Sequence, residues 1–247
     1  MRSLTNVLCV MKRELHDYFA SPVAYVFIII FLALLGFFSF QLDDFFGYGQ
    51  ANLTPFFRWH PWLFLILVPA IGMRQWAEER RSGSMELLLT LPIAVWQAIT
   101  GKFLAAWLFV GLALFLTFPA VLTVIGLGDP DLGIIATGYL GSMMVAGIYL
   151  AITSVTSAMT RSQVVSFIVS VVICLLLVLA GWPMVTNIFV NWLPGSIVDG
   201  IAACSVLTHY QSLQRGVIDT RDLVYAGSVI IFCLFTTSVI LRNRRSL

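Results

Sequence analysis

The chain has 247 residues, of which 60% are hydrophobic and 11% charged, with a formal net charge of +2. Soluble domains carry about 25% charged residues, so the composition excludes an ordinary water-soluble core and implies an integral membrane protein. The four cysteines, Cys9, Cys174, Cys204 and Cys233, are scattered without a CxxC pair, which argues against a zinc site or a redox motif.

In chain order, Leu4, Leu8, Met11, Leu15 and Phe19 recur at helical spacing, flanked by Val7 and Tyr18. Arg2, Lys12, Arg13 and His16 lie mostly off that stripe, which predicts an amphipathic helix over 1–20 on the membrane surface. It is either a simple anchor or a coupling element. Ser21-Pro22 then turns the chain into the first span, with proline at a helix start where its missing N–H costs little. No small-residue cleavage site follows that span, so no cleavable signal peptide is expected.

A transmembrane helix needs about 20 mostly apolar residues. Six candidate spans satisfy or approach this: Val23–Phe40, His60–Met73 (short, extended at its Phe56–Trp59 end), Phe103–Leu127, Gly133–Met159, Val164–Gly181 and Leu223–Leu241. The predicted fold class is an all-α integral membrane protein, with residues 1–247 as one transmembrane domain. Eleven of the 14 Lys and Arg fall before span one, between spans two and three, between four and five, and after six. Arg58, Arg215 and Arg221 fall on the other side. The positive-inside rule therefore puts both termini in the cytoplasm.

Span four is lined with small residues, Gly138, Gly141, Ser142, Ala146 and Gly147, which predicts close helix packing. The segment 182–222 is apolar but broken by Pro183, Pro194, Gly195 and Gly200, and reads as an outer segment of short helices dipping into the outer leaflet. His60 is expected as an interfacial polar residue at the outer end of span two. It does not converge with His16 and His209 on a metal site. There is no GxxxxGK[ST] phosphate loop, so the chain cannot hydrolyse ATP by a P-loop of its own. No GxSxG elbow is present.

One dense charged knot interrupts this apolar sequence, "EERRSGSMELLLTLP" at 78–92. Ser84 can cap a helix beginning at Met85, with Glu86 in its first turn, where the helix dipole favours an anion. Pro92 limits that helix to about two turns. Such an element either fits a groove on a soluble partner or is a solvated loop with snorkelling arginines. The following "IAVWQAITGK" reads as a second surface helix leading into span three.

The stretch "EERRSGSMELLLTLPIAVWQAITGKFLAAW" resembles the region after the second span in ABC-2-type permeases, the membrane subunits of ABC exporters, where the pattern is E-E-x-x-x-G-T-x-E-x-L-L-T-x-P before a G-K entry. Ser84 stands where threonine is commoner. "KRELHDYFASPVAY" resembles one branch, the gliding-motility-associated permeases, near the nitrous-oxide-reductase maturation permease. The resemblance implies the six-helix ABC-2 (type V) exporter fold in the bacterial cytoplasmic membrane. It implies a dimer, either a homodimer or a pair with a related permease. It also implies a separate cytoplasmic ABC ATPase that holds ATP and Mg, this chain binding no cofactor and no nucleic acid, and in some relatives a membrane protein with a large outer domain. Glu78, Glu79, Arg80, Arg81, Gly83, Ser84, Glu86, Leu87, Leu88, Leu89, Thr90 and Pro92 match the ATPase-coupling region within 78–102. Lys12, Arg13 and Glu14 would flank the same ATPase, and 182–200 matches the outer re-entrant helices. Two rival functions differ in kind. A non-transporting scaffold or mechanotransmitter would need the same docking motif. A lipid-modifying membrane enzyme would want clustered carboxylates or a histidine pair that this sequence lacks.

Overall fold

The computed structural model describes residues 2–42, 53–83, 94–190 and 195–243, and among these residues the ordered elements are all helical. α1 spans Arg2–Ala20. α2 spans Pro22–Phe37 and continues as a π-helical turn over Phe38–Leu42. α3 (Thr54–Arg58), α4 (His60–Gly72) and α5 (Arg74–Ser82) follow one another, separated by the single residues Trp59 and Met73. α6 (Val95–Phe115) and α7 (Phe118–Leu127) form a long broken rod. Next come α8 (Leu132–Met159), α9 (Gln163–Leu179), the short α10 (Pro183–Val190), α11 (Gly195–Ala203) and α12 (Val206–Gln214), and finally α13 (Thr220–Asn243).

Among the described residues, four helical stretches are long and apolar enough to cross a membrane: Pro22–Leu42, Val95–Leu127, Leu132–Met159 and Thr220–Asn243. The two further spans expected from sequence are shorter as helices. α4 has 13 residues and α9 has 17. The reason at α4 is proline. Pro61 carries no amide hydrogen, so the Phe57 carbonyl loses its helical partner. That carbonyl instead accepts the Tyr210 hydroxyl at 2.7 Å. In an apolar solvent such a freed group must find a partner. The rod α6–α7 also breaks just before a proline, Pro119, with the chain turned at Leu116 and Thr117. There Thr117 donates to the Leu114 carbonyl at 2.6 Å and meets the Tyr139 hydroxyl at 2.7 Å. The surface helix and third span expected around 93–127 are instead one continuous helix from Val95 to Phe115, since no breaker interrupts that stretch.

α8 is the axis of the molecule, capped at its start by Asp131, whose carboxylate accepts the Gly133 amide at 2.8 Å. α4, α5, α6, α9, α12 and α13 all pack on it. Its small residues set the distances. A Cβ on Gly138 would stand 2.8 Å from the Phe57 ring, and one on Gly141 would stand 3.1 Å from Tyr210. Gly147 lies under Trp107, whose indole N–H donates to the Met143 carbonyl at 2.8 Å. Outward, Ile29, Phe115, Val164, Leu176, Phe232 and Phe235 are all more than half exposed. An apolar exterior of this extent suits a lipid solvent and not water. His60 departs from its expected interfacial place. It is fully buried, packed against Phe31, Phe56, Phe57 and Phe64 at ring distances of 5.0–6.1 Å.

The tight seam gives a direct test. Gly138→Leu, which must displace the Phe57 ring, is expected to destabilise the folded protein by about 1–3 kcal/mol or more. Gly227→Leu, at a position with open space, is expected to change little. Thermal unfolding of both variants in the same detergent checks the pair.

Candidate functional site

The site lies at one end of the bundle, where α1, α5 and α6 meet. Gly101 lets α1 approach α6 closely, because a Cβ there would stand 2.8 Å from Val10. α1 thereby uses only one flank of its apolar stripe against the protein. Val7 and Val10 are buried, while Leu4 and Leu8 stay exposed. The helix therefore has a second apolar flank left for the bilayer.

Lys102 follows Gly101 and is 3% exposed. Its ammonium sits 3.0 Å from Glu14 of α1 and 2.8 Å from Glu79 of α5, and 5.2 Å from the centre of the Trp76 ring. Arg13 reaches the same Glu14 oxygen at 2.8 Å. A buried charge is tolerated only when it is paired, and here the pairing draws on three helices. Burial works against the Glu14 charge, but Lys102 and Arg13 outweigh it and hold the carboxyl below the ordinary glutamate range. Asn6 adds a second tie, donating to Gln97 at 3.2 Å, while Gln97 also accepts the Ala94 amide at 3.1 Å at the start of α6.

α5 is anchored from the side. The first amides of a helix have no partner within it. In α5 the Trp76 and Ala77 amides donate to the Ser157 hydroxyl of α8 at 3.1 and 3.0 Å, and that hydroxyl donates to the Met73 carbonyl at 2.9 Å. Trp76 also donates its indole N–H to Ser154 at 3.1 Å. Arg80 donates to the Ala158 and Thr160 carbonyls at the end of α8, at 2.8 and 3.2 Å, where a cation suits the helix terminus. Gly83 ends α5 at φ 74°, a left-handed conformation that glycine adopts without strain.

The charges singled out in the sequence thus divide. Glu79 and Arg80 turn inward and tie α5 to α6 and α8. Glu14 ties α1 to α6. Glu78, Arg81, Lys12 and Arg13 are exposed. Ser84, Glu86, Leu87, Leu88, Leu89, Thr90 and Pro92 lie outside the described residues. In the sequence Lys102 is only one cation among many, and the serines of α8, Ser154 and Ser157 among them, read equally as packing residues or as helix-to-helix hydrogen bonders, the second of which the contacts with α5 bear out. The available signal was a lysine inside an otherwise apolar helix, which by default marks a functional position.

At the opposite end, Tyr210 holds Ser142 at 3.2 Å and the Phe57 carbonyl. His209 bridges Asp222 at 2.6 Å and the Ala203 carbonyl at 2.9 Å, and stacks on Tyr225. Trp62 and Trp182 meet edge to face at 4.7 Å. Among the described residues no group of three or more His, Cys, Asp or Glu side chains is placed to hold a metal.

These features define a helical, multi-pass membrane protein with a buried ionic tie at one end. The family model described as ABC-2 family transporter protein matches residues 60–236, from the start of α4 into α13, and the chain belongs to that family. It is a transmembrane permease component of the ABC transporters. A search of curated proteins finds no significant match to the chain.

Two predictions come from the tie. Lys102→Met leaves two carboxylates facing each other and is expected to cost about 3 kcal/mol. The triple variant Lys102→Met, Glu14→Gln, Glu79→Gln should recover most of that loss in the same unfolding assay. The second concerns pH. Because the folded protein lowers the Glu14 pKa, its contribution is complete above the ordinary glutamate range and is lost as pH falls through the lower folded value. The distance between spin labels at exposed positions 12 and 96 should be well defined at neutral pH and broaden on acidification, and Glu14→Gln should weaken that dependence.

Proposed function

We propose that the chain is the permease subunit of an ATP-driven ABC exporter, passing conformational change between a separate cytoplasmic ATPase and the spans. ATP and Mg belong to that partner. The reading takes six spans, with α3–α4 as the second and α9 as the fifth. At 1.5 Å per residue, α3 and α4 together extend about 28 Å, close to the hydrocarbon thickness of a bilayer. The charged end is then cytoplasmic, with both termini there, in a bacterial inner membrane. A second permease subunit, identical or related, completes the dimer. The likeness of residues 12–25 to the gliding-motility-associated permeases supports a place in or near that branch.

The observation that carries the reading is the mechanical continuity around α5. Any partner that grips the segment after Gly83 pulls on α5. α5 is fixed to α8 through Ser157 and Arg80, and to α1 and α6 through Glu79 and Lys102. Force applied to the segment after Gly83 thereby reaches the central helix and the surface helix together. Exposed Arg81, Lys12 and Arg13 remain for the ATPase.

Reversing charge in that segment, Arg81→Glu with Glu86→Arg, is expected to lower ATPase co-purification by about tenfold or more while leaving membrane insertion unchanged, as rim charges steer docking and do not support folding. The check is affinity purification of the tagged chain from native membranes, with the P-loop ATPase quantified against it. Unchanged recovery of the ATPase would defeat the docking assignment.

A further inference from the structure

A cavity of about 430 Å³ opens beside the ionic tie, between α1, α2, α4 and α5. Its two halves differ in chemistry. Toward the charged end it is lined by Arg74, Gln75, Asp17 and Glu78. Deeper in it is lined by Val26, Phe27, Ile30 and Leu67. Val23, Val26 and Ile30 lie on one face of α2 and are 50%, 51% and 42% exposed, so the apolar half opens toward the surrounding lipid. The distance along α2 from Val23 to Ile30 is about 10 Å.

The polar half contains buried groups whose hydrogen bonding is incomplete. Gln75 is 4% exposed, and neither its amide oxygen nor its amide nitrogen makes a hydrogen bond of regular geometry, although the Tyr18 hydroxyl stands nearby. The Nε of Arg74 is also buried without an acceptor. A buried polar group without a partner is costly, and such groups call for an occupant. The ionic tie does not provide one, since Lys102 is engaged by Glu14 and Glu79.

We infer that this cavity holds the head and upper acyl chain of a glycerophospholipid whose head carries a phosphodiester and a primary ammonium. The phosphodiester accepts hydrogen bonds from the Arg74 guanidinium and the Gln75 amide, a charge-assisted pairing. The ammonium donates to the carboxylates of Asp17 and Glu78 at the rim. One acyl chain lies along Val26 and Ile30. The opposed charges at the mouth select the head. A purely anionic lipid leaves Asp17 and Glu78 facing negative charge, and a choline head has no N–H to donate. Bound there, the lipid joins α1 to α2 and α4, which the tie at Lys102 does not reach directly. The inference needs only that the charged end lies at a bilayer surface, and stands apart from the export reading.

The test uses the full chain in nanodiscs containing a phosphatidylethanolamine with a diazirine in its acyl chain. After illumination, crosslinked peptides are mapped, with unlabelled phosphatidylethanolamine, phosphatidylcholine or phosphatidylglycerol as competitors. Crosslinks are expected to concentrate on residues 23–30 and 67–71. Phosphatidylethanolamine should compete at least about fivefold better than the other two, and Gln75→Leu should lower labelling there by about tenfold. Ala70→Trp, which fills the cavity, should abolish it. Size-exclusion chromatography reports whether that variant folds, and Gln75→Leu carries the test where it does not. Labelling spread evenly over lipid-facing helices such as α13, equal competition by the three lipids, or labelling unaffected by Gln75→Leu would each overturn the inference.

Discussion

Helices surrounded by lipid gain nothing by hiding apolar surface from one another, so they are held by contact distance and by hydrogen bonds that lipid cannot offer. α8 meets both requirements. Glycines at 138, 141 and 147 bring aromatic partners against its backbone, and Ser142 supplies a hydroxyl toward α12 while Ser154 and Ser157 supply theirs toward α5. Everything else takes its position from that helix. α4 and α9 pack beside it, α12 crosses its outer-segment end, and α5 is fastened to its other end.

The ionic tie extends this order beyond the apolar bundle. Lys102 could not stay buried alone, and the carboxylates that neutralise it come from α1 and α5. A single ammonium therefore adds a shared ionic contact to two helices, α1 and α5, that are also held by the close approach at Gly101 and by the hydroxyls of α8. Trp76 completes the arrangement from below, with its ring facing Lys102 and its indole N–H on Ser154. Family membership as an ABC-2 transporter protein gives this end of the molecule its interest, since the segment that follows α5 is the one that resembles the ATPase-coupling region.

Much of the helical layout was legible in the sequence. The apolar runs, the small residues of α8 and the helix start at Pro183 each follow from local chemistry, whereas Gly200, expected to break the outer segment, lies inside the continuous α11, and Pro194 lies outside the described residues. The shortening of α4 was also written locally, in Pro61 and Pro69, but its consequence was not. The partner of the freed Phe57 carbonyl is Tyr210, 153 residues away. The same limit explains the site. Composition marks Glu14, Glu79 and Lys102 as charged, and only tertiary packing makes them a unit. His60 was misplaced for a related reason. A histidine near the end of an apolar run suits the interface in one dimension, whereas four surrounding phenylalanines enclose it in three.

The bond from Tyr210 to Phe57 has a consequence for how this sequence can drift. The acceptor is a main-chain oxygen, so no replacement of the Phe57 side chain removes it. What frees that oxygen is the missing amide at Pro61. A change of Pro61 to any other residue restores a main-chain N–H that competes with the tyrosine for the carbonyl. Proline and tyrosine thus share one carbonyl: the proline leaves it open, and the tyrosine occupies it together with the His60 ring nitrogen at 3.4 Å.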